Sequence, residues 1–183
     1  IDAAGMTDAN GNVCPPGTRN PADDVKFLEY EITMWMFGIL KKEWDKIIKG
    51  VTQMKEDPVV LLAERLTGLM FTKKNVSTAI KSRDELGKRI DLWGDEEIKS
   101  FADTLRRGSK PMVIAANKIE VLAAEENIKR LKDEFKGYTI IGCAAEAELA
   151  LRLASKKGLI SFMPGDGSLA IKDTAALSDR QRD

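Results

Sequence analysis

The sequence predicts an α/β fold carrying an all-helical insertion, and three observations lead there. Met112 to Ala116 is a short apolar run that suits a central parallel strand, because such a strand meets apolar neighbours on both faces. Tyr138 to Cys143 is a second run of the same kind, and an amphipathic stretch separates the two. From Pro21 to about Trp93 the hydrophobic pattern is helical throughout.

Taken in order, Thr7 to Pro21 is rich in Asn, Gly and Pro and has no hydrophobic period, which predicts a loop. Its D-A-N-G-N segment superficially resembles a calcium loop. The Gly falls at the wrong place, however, and Arg19 stands where the bidentate Glu should be, so turn chemistry is expected. Beyond Pro21, Val25, Leu28, Ile32, Trp35, Met36, Ile39, Trp44, Ile47, Ile48 and Val51 follow a three-four spacing. Asp23 and Asp24 suit the positive amino end of that long helix. Its wide stripe must be covered, and Leu28, Ile32, Trp35 and Ile39 are expected in a core with Leu66. Lys41, Lys42, Lys46 and Lys49 make a solvated face.

Asp57 before Pro58 opens a second helix through Leu61, Leu62, Leu66 and Leu69. Asn75 is expected to cap a third, with Val76, Ala79, Ile80 and Leu86 inward. A fourth starts near Asp95 and runs through Ile98, Phe101, Ala102 and Leu105 until Gly108 stops it. After the first apolar run, Ala124, Ile128, Leu131 and Phe135 mark an amphipathic helix. Met112 to Ala116 and Thr139 to Gly142 should therefore be neighbouring parallel strands joined by the Glu125 to Phe135 helix. A further helix is stopped by Gly158, Leu159 to Gly167 packs or turns back at the sheet edge, and Ser178 to Gln181 opens another helix.

Composition narrows the chemistry. The chain has 183 residues, 43% of them hydrophobic, enough for one substantial core or two small ones. Lys plus Arg and Asp plus Glu both number 29, so no net field draws the protein to nucleic acid or an anionic membrane. With His 0, serine-triad and His-metal chemistries are excluded. Cys14 and Cys143 are far apart and form no C-x-x-C, which suits a reducing cytoplasm, and no long apolar segment suggests a membrane.

The residues with chemistry to offer follow the first apolar run. Asn117, Lys118 and Glu120 fall at its carboxyl end, the edge at which open α/β sheets bind ligands. A carboxylate there can accept two parallel hydrogen bonds. Guanine offers two such donors in N1–H and its exocyclic amine, whereas adenine has an acceptor at N1.

A-A-N-K-I-E resembles the N-K-x-D base-specificity motif of P-loop GTPases, with Glu120 where that family has Asp. The flanks R-R-G-S-K-P-M-V-I-A-A-N-K and C-A-A-E-A-E-L-A-L-R-L-A-S-K-K-G-L-I-S-F-M-P-G-D are similar to archaeal members of the translation-associated Obg/YchF group. I-D-A-A-G resembles the V-D-A-T-G end of that group's fourth strand, where Asp2 is expected to be structural. The resemblance implies the carboxyl-terminal half of a P-loop GTPase domain plus a helical insertion. Residues 1–20 would be the strand end and loop, 21–93 the insertion, and 94–183 the guanine-specificity half. About eighty residues of helix between two strands of one sheet are too many for an ordinary crossover.

By the same resemblance, Asn117 would tie together the loops around the base, Lys118 would lie along the ring and brace the phosphate loop, and Glu120 would read N1 and N2. Ala144, Ala145 and Glu146 stand in the place of an S-A-E segment whose backbone amide approaches guanine O6, a contact that Ala144 in place of Ser leaves intact. The ligand implied is GTP or GDP. The G-x-x-x-x-G-K-[ST] loop does not occur in the sequence, so Mg2+ is expected only in a full-length parent, and this chain is assigned no catalytic residue or metal ligand. The chain is expected to be cut at both ends, before a carboxyl-terminal TGS domain. Ribosome or translation factors would meet the helical insertion. Alternatives are an ATP-preferring YchF-like NTPase, favoured by Glu120 and disfavoured by Lys118, a helical binding module with no nucleotide role, or an unrelated α/β protein.

Overall fold

A computed structural model describes residues 1–84 and 88–172. The chain divides into two compact units, one spanning Asp23–Met112 and the other made of Ile1–Ala22 with the chain from Val113 on.

The helical unit holds most of α1 (Pro21–Gln53), then α2 (Pro58–Arg65), α3 (Lys73–Lys81) and α4 (Asp95–Ser109). Asp57 caps α2 by accepting the Val59 N–H at 2.8 Å, with Pro58 at the first helical position. The α3 cap differs from expectation. Thr72 is the cap residue, its hydroxyl accepting the Asn75 N–H at 3.2 Å, while Asn75 Oδ1 accepts the Thr72 N–H at 2.9 Å. Asn75 therefore closes a capping box from inside the helix, and two good capping residues three positions apart explain why the pattern alone misplaced the start. α4 likewise runs through Gly108 to Ser109, since Gly108 does not take the left-handed conformation that would stop it.

Met36, Leu40, Trp44 and Ile47 of α1 meet Leu62, Leu66, Val76, Ile98, Phe101 and Leu105 in the core of this unit. Trp44 and Trp93 stack with ring centroids 5.8 Å apart and planes 8° apart. The expected core is corrected in two places. Leu66 is buried and Ile32 and Ile39 pack against the core, but Leu28 and Trp35 are exposed, Trp35 by 59%. The stripe on α1 contains two interleaved three-four series, and the one through Met36, Leu40, Trp44 and Ile47 faces inward. Leu86 and the Ser178 to Gln181 helix start lie outside the described residues.

A buried polar clasp joins α1 to α4. Arg106, 1% exposed, binds Glu29 at 3.0 Å and Asp103 at 2.9 Å. Arg107 reaches the same carboxylates at 3.2 and 2.8 Å, and Thr33 Oγ1 donates to Asp103 at 3.3 Å. Burial pushes the Asp103 carboxyl up, but bonds from Arg106 and Arg107 outweigh it and hold the group below its ordinary value of 3.8.

The strand unit carries β1 (Val113–Asn117), α5 (Leu122–Glu134), β2 (Thr139–Cys143), α6 (Ala145–Lys156) and a small antiparallel pair, β3 (Ile160–Ser161) with β4 (Ala170–Ile171). β1 and β2 are parallel, as expected, in a register from Val113 opposite Thr139 to Asn117 opposite Cys143. Ile114, Ala116 and Ile140 are buried with Ala124 and Leu131 of α5, while Val113, Ala115 and Ile141 are exposed on the other face. On the far side of β1 the amino terminus pairs in parallel: the Asn117 N–H donates to Ile1 O at 2.9 Å and the Ala3 N–H to Asn117 O at 3.0 Å. Buried Asn127 of α5 donates to Ala3 O at 2.8 Å and fixes that segment. Gly5 turns the chain away at φ 60, where a Cβ would collide with the Arg19 carbonyl. Asp8 accepts the N–H groups of Asn10 and Asn12, both at 2.8 Å, which is the turn chemistry expected for D-A-N-G-N. Among the described residues, no helix is long and apolar enough to cross a membrane.

Two outcomes follow for the helical unit. In urea unfolding, Leu40→Ala costs about 2–5 kcal/mol and Trp35→Ala less than about 1 kcal/mol; equal costs would contradict the inward series. A depressed carboxylate stabilises the fold above its ordinary pKa and loses that contribution as pH falls through its lowered value. Asp103→Asn should therefore cost about 1 kcal/mol at neutral pH, and its deficit should shrink as the pH is taken below about 4, as read from unfolding curves collected across acid pH.

Candidate base-recognition site

The site lies wholly in the strand unit, at the carboxyl ends of the parallel strands, where their ladder ends and the chain turns into loops. Asn117 is the last residue of β1, and its main chain bonds to the amino-terminal segment, as described above. Its side chain points into the other loop: Oδ1 accepts the Ala145 N–H at 2.9 Å and lies 3.8 Å from Cys143 Sγ. This fixes the amide orientation and leaves Nδ2 as a donor with no protein partner among the described residues. The Ile119 N–H closes the same edge on Cys143 O at 3.3 Å. Gly142 is needed beneath it, since a Cβ there would lie 2.9 Å from Ile119 Cγ2.

Lys118 takes a left-handed backbone conformation, with φ 70, uncommon for a residue with a side chain. A tight turn follows, in which the Val121 N–H donates to Lys118 O at 3.1 Å. The Lys118 ammonium reaches back to Asp2 Oδ2 at 2.8 Å. Asp2 is itself tethered, accepting the N–H groups of Ala4 and Met6, both at 3.1 Å, and the Thr7 hydroxyl at 2.7 Å. Burial pushes the Asp2 carboxyl up, yet Lys118, Thr7 and the Met6 amide outweigh it and hold the group below its ordinary value.

Of the residues singled out in the sequence, Asn117 and Ala145 are in direct contact. Ala144 is half-buried and accepts the Glu148 N–H at 3.0 Å, while Ala145 and Glu146 form the exposed amino end of α6. Glu120 lies in the turn after Lys118, exposed and unpaired among the described residues. Two participants were not legible beforehand. Cys143 had no signal beyond its place at a strand end. Asp2 is separated from Lys118 by 116 positions, a distance no local pattern can bridge. Among the described residues, no cluster of three or more acidic, Cys or His residues could hold a metal ion.

Comparison with known proteins places the chain among proteins named for GTP binding, by similarity. Residues 115–183 match the family model described as Obg-like GTPase YGR210-like, G4 motif-containing domain. An uncharacterized GTP-binding protein of Methanocaldococcus jannaschii is 42% identical over 182 residues, which are 100% of this chain and 44% of that protein. An uncharacterized GTP-binding protein of Schizosaccharomyces pombe is 28% identical over 165 residues, 90% of this chain and 40% of that one. The crystal structure of a GTP-binding protein from Pyrococcus horikoshii OT3 matches with a TM-score of 0.74 at 39% identity, covering 90% of this chain and 47% of that chain. The chain is thus similar along nearly all its length to proteins named for GTP binding, and spans less than half the length of each.

Proposed function

We propose that this chain reads the guanine base of GTP or GDP. The observation that supports this most is the 2.9 Å bond from the Ala145 N–H to Asn117 Oδ1, which joins the loops after β1 and β2 and leaves Asn117 Nδ2 to donate to a base. Glu120 is the discriminating group. Its carboxylate accepts from N1–H and the exocyclic amine of guanine, and meets an acceptor instead at N1 of adenine. With the Ala145 N–H taken by Asn117 Oδ1, the amino end of α6 offers the Glu146 amide and a positive helix end to O6. The stem of Lys118 lies along the ring. The names of the similar proteins support the same ligand.

Phosphates and magnesium supply most of the affinity in P-loop GTPases, and the G-x-x-x-x-G-K-[ST] loop that holds them does not occur in this sequence. What this chain contributes is a few hydrogen bonds, each worth roughly 1 to 3 kcal/mol, which scarcely offset the cost of immobilising a ligand. Hydrolysis and Mg2+ binding belong to a longer protein of the Obg/YchF kind, acting in the cytoplasm in association with translation. A second role for the helical unit is supported by Phe27, Tyr30 and Trp35, exposed on α1, which would suit docking on a ribosome or translation factor.

Titration of the labelled chain with GTP and ATP, followed by amide NMR, tests the base reading. GTP should shift the Asn117, Ala145 and Glu146 signals with a Kd no tighter than about millimolar, ATP should shift them less, and Glu120→Ala should abolish the difference. Equal response to both nucleotides in the unmodified chain contradicts the assignment.

A further inference from the structure

The Asp2 to Lys118 pair raises a question that base recognition alone does not answer. Lys118 is two residues before Glu120 in one tight turn. A flexible ammonium there is a natural partner for that carboxylate, and a paired Glu120 would present fewer free lone pairs to guanine. Instead the ammonium is held 2.8 Å from Asp2, with 33% of the Lys118 side chain exposed, and Glu120 stands open to solvent without a partner among the described residues. Asp2 is placed for this by three other bonds, from the Ala4 and Met6 amides and the Thr7 hydroxyl, so the lysine closes onto a carboxylate that is already fixed. The left-handed backbone at Lys118 indicates that the chain accepts strain at this residue.

We propose that Asp2 is a positioning residue for guanine selectivity: it sequesters the Lys118 ammonium, keeps it off Glu120, and so leaves the Glu120 carboxylate free to accept both guanine donors. This rests on Glu120 being the base reader. Asp2 touches no nucleotide in this arrangement and acts only through the lysine.

The test is a double-mutant cycle on the 183-residue chain, with GMP and AMP as probes and amide NMR at Asn117 and Ala145 as the readout. Asp2→Asn frees the ammonium to pair with Glu120, and the GMP over AMP preference should fall about threefold, the scale of a partly exposed ion pair. Lys118→Met alters a residue placed along the base, so it sets its own reference preference in a background without the ammonium. Asp2→Asn added to Lys118→Met should leave that reference preference unchanged to within about twofold. A merely structural Asp2 would lower the preference equally in both backgrounds, and that result overturns the proposal, as does an Asp2→Asn preference equal to that of the unmodified chain. Should Asp2→Asn fail to fold, the ammonium resonance of Lys118 in the unmodified chain decides. Contact with Asp2 that persists when GMP is added supports the proposal, and transfer of the ammonium to Glu120 or the ligand overturns it. No response of the unmodified chain to GMP removes the base reading and this inference together, whereas a normal GMP preference that Asp2→Asn leaves unchanged removes only the inference.

Discussion

Asn117 is the point on which the strand unit and its site both depend. Its main chain is bonded to the amino-terminal segment, it pairs with Cys143 across the parallel ladder, and its side-chain oxygen takes the first amide of α6. Segments from positions 1, 117 and 145 are thereby held together by one residue, through its main chain on one side and its short side chain on the other. An amide is well suited to this: it accepts on one atom and donates on the other, so the oxygen can be spent on the scaffold while the nitrogen remains for a ligand. Aspartate in that place would offer a second acceptor instead of a donor, and the loop amide and the base would then be served by chemically identical atoms.

The helical unit is held by different means. Apart from the Arg106 clasp its interior is apolar among the described residues, and the clasp itself works because the guanidinium groups of Arg106 and Arg107, consecutive on α4, both meet Glu29 of α1 and Asp103. Because desolvating these charges offsets much of their attraction, such a network specifies how α1 and α4 meet more than it adds to net stability.

Much of this was legible in the sequence, for reasons that can be stated residue by residue. The strand, helix and strand from Val113 to Cys143 showed because apolar runs on both sides of a clear helical period have few other uses. The Asp57 and Pro58 helix start showed because both residues act locally. The phase of α1 did not, since Leu28 and Trp35 continue a three-four series as well as Leu40 and Trp44 do, and only the partners supplied by α2, α3 and α4 decide between them. Asn117, Lys118 and Glu120 were found through their order after a strand. The Asp2 contact was invisible because an ion pair between residues 116 positions apart leaves no trace in spacing.

The placement of the aromatic side chains has an optical consequence. All 3 tryptophans of the sequence, Trp35, Trp44 and Trp93, belong to the helical unit. Trp44 and Trp93 are buried and stacked, with the Arg83 guanidinium 4.8 Å from the Trp93 ring, whereas Trp35 faces water. Intrinsic emission is therefore a private signal of the helices: a blue, partly quenched buried pair superposed on one red, solvent-quenchable indole. The strand unit contains only Tyr138 as a phenolic chromophore, so melting of the base-recognition site would pass unseen in a tryptophan trace.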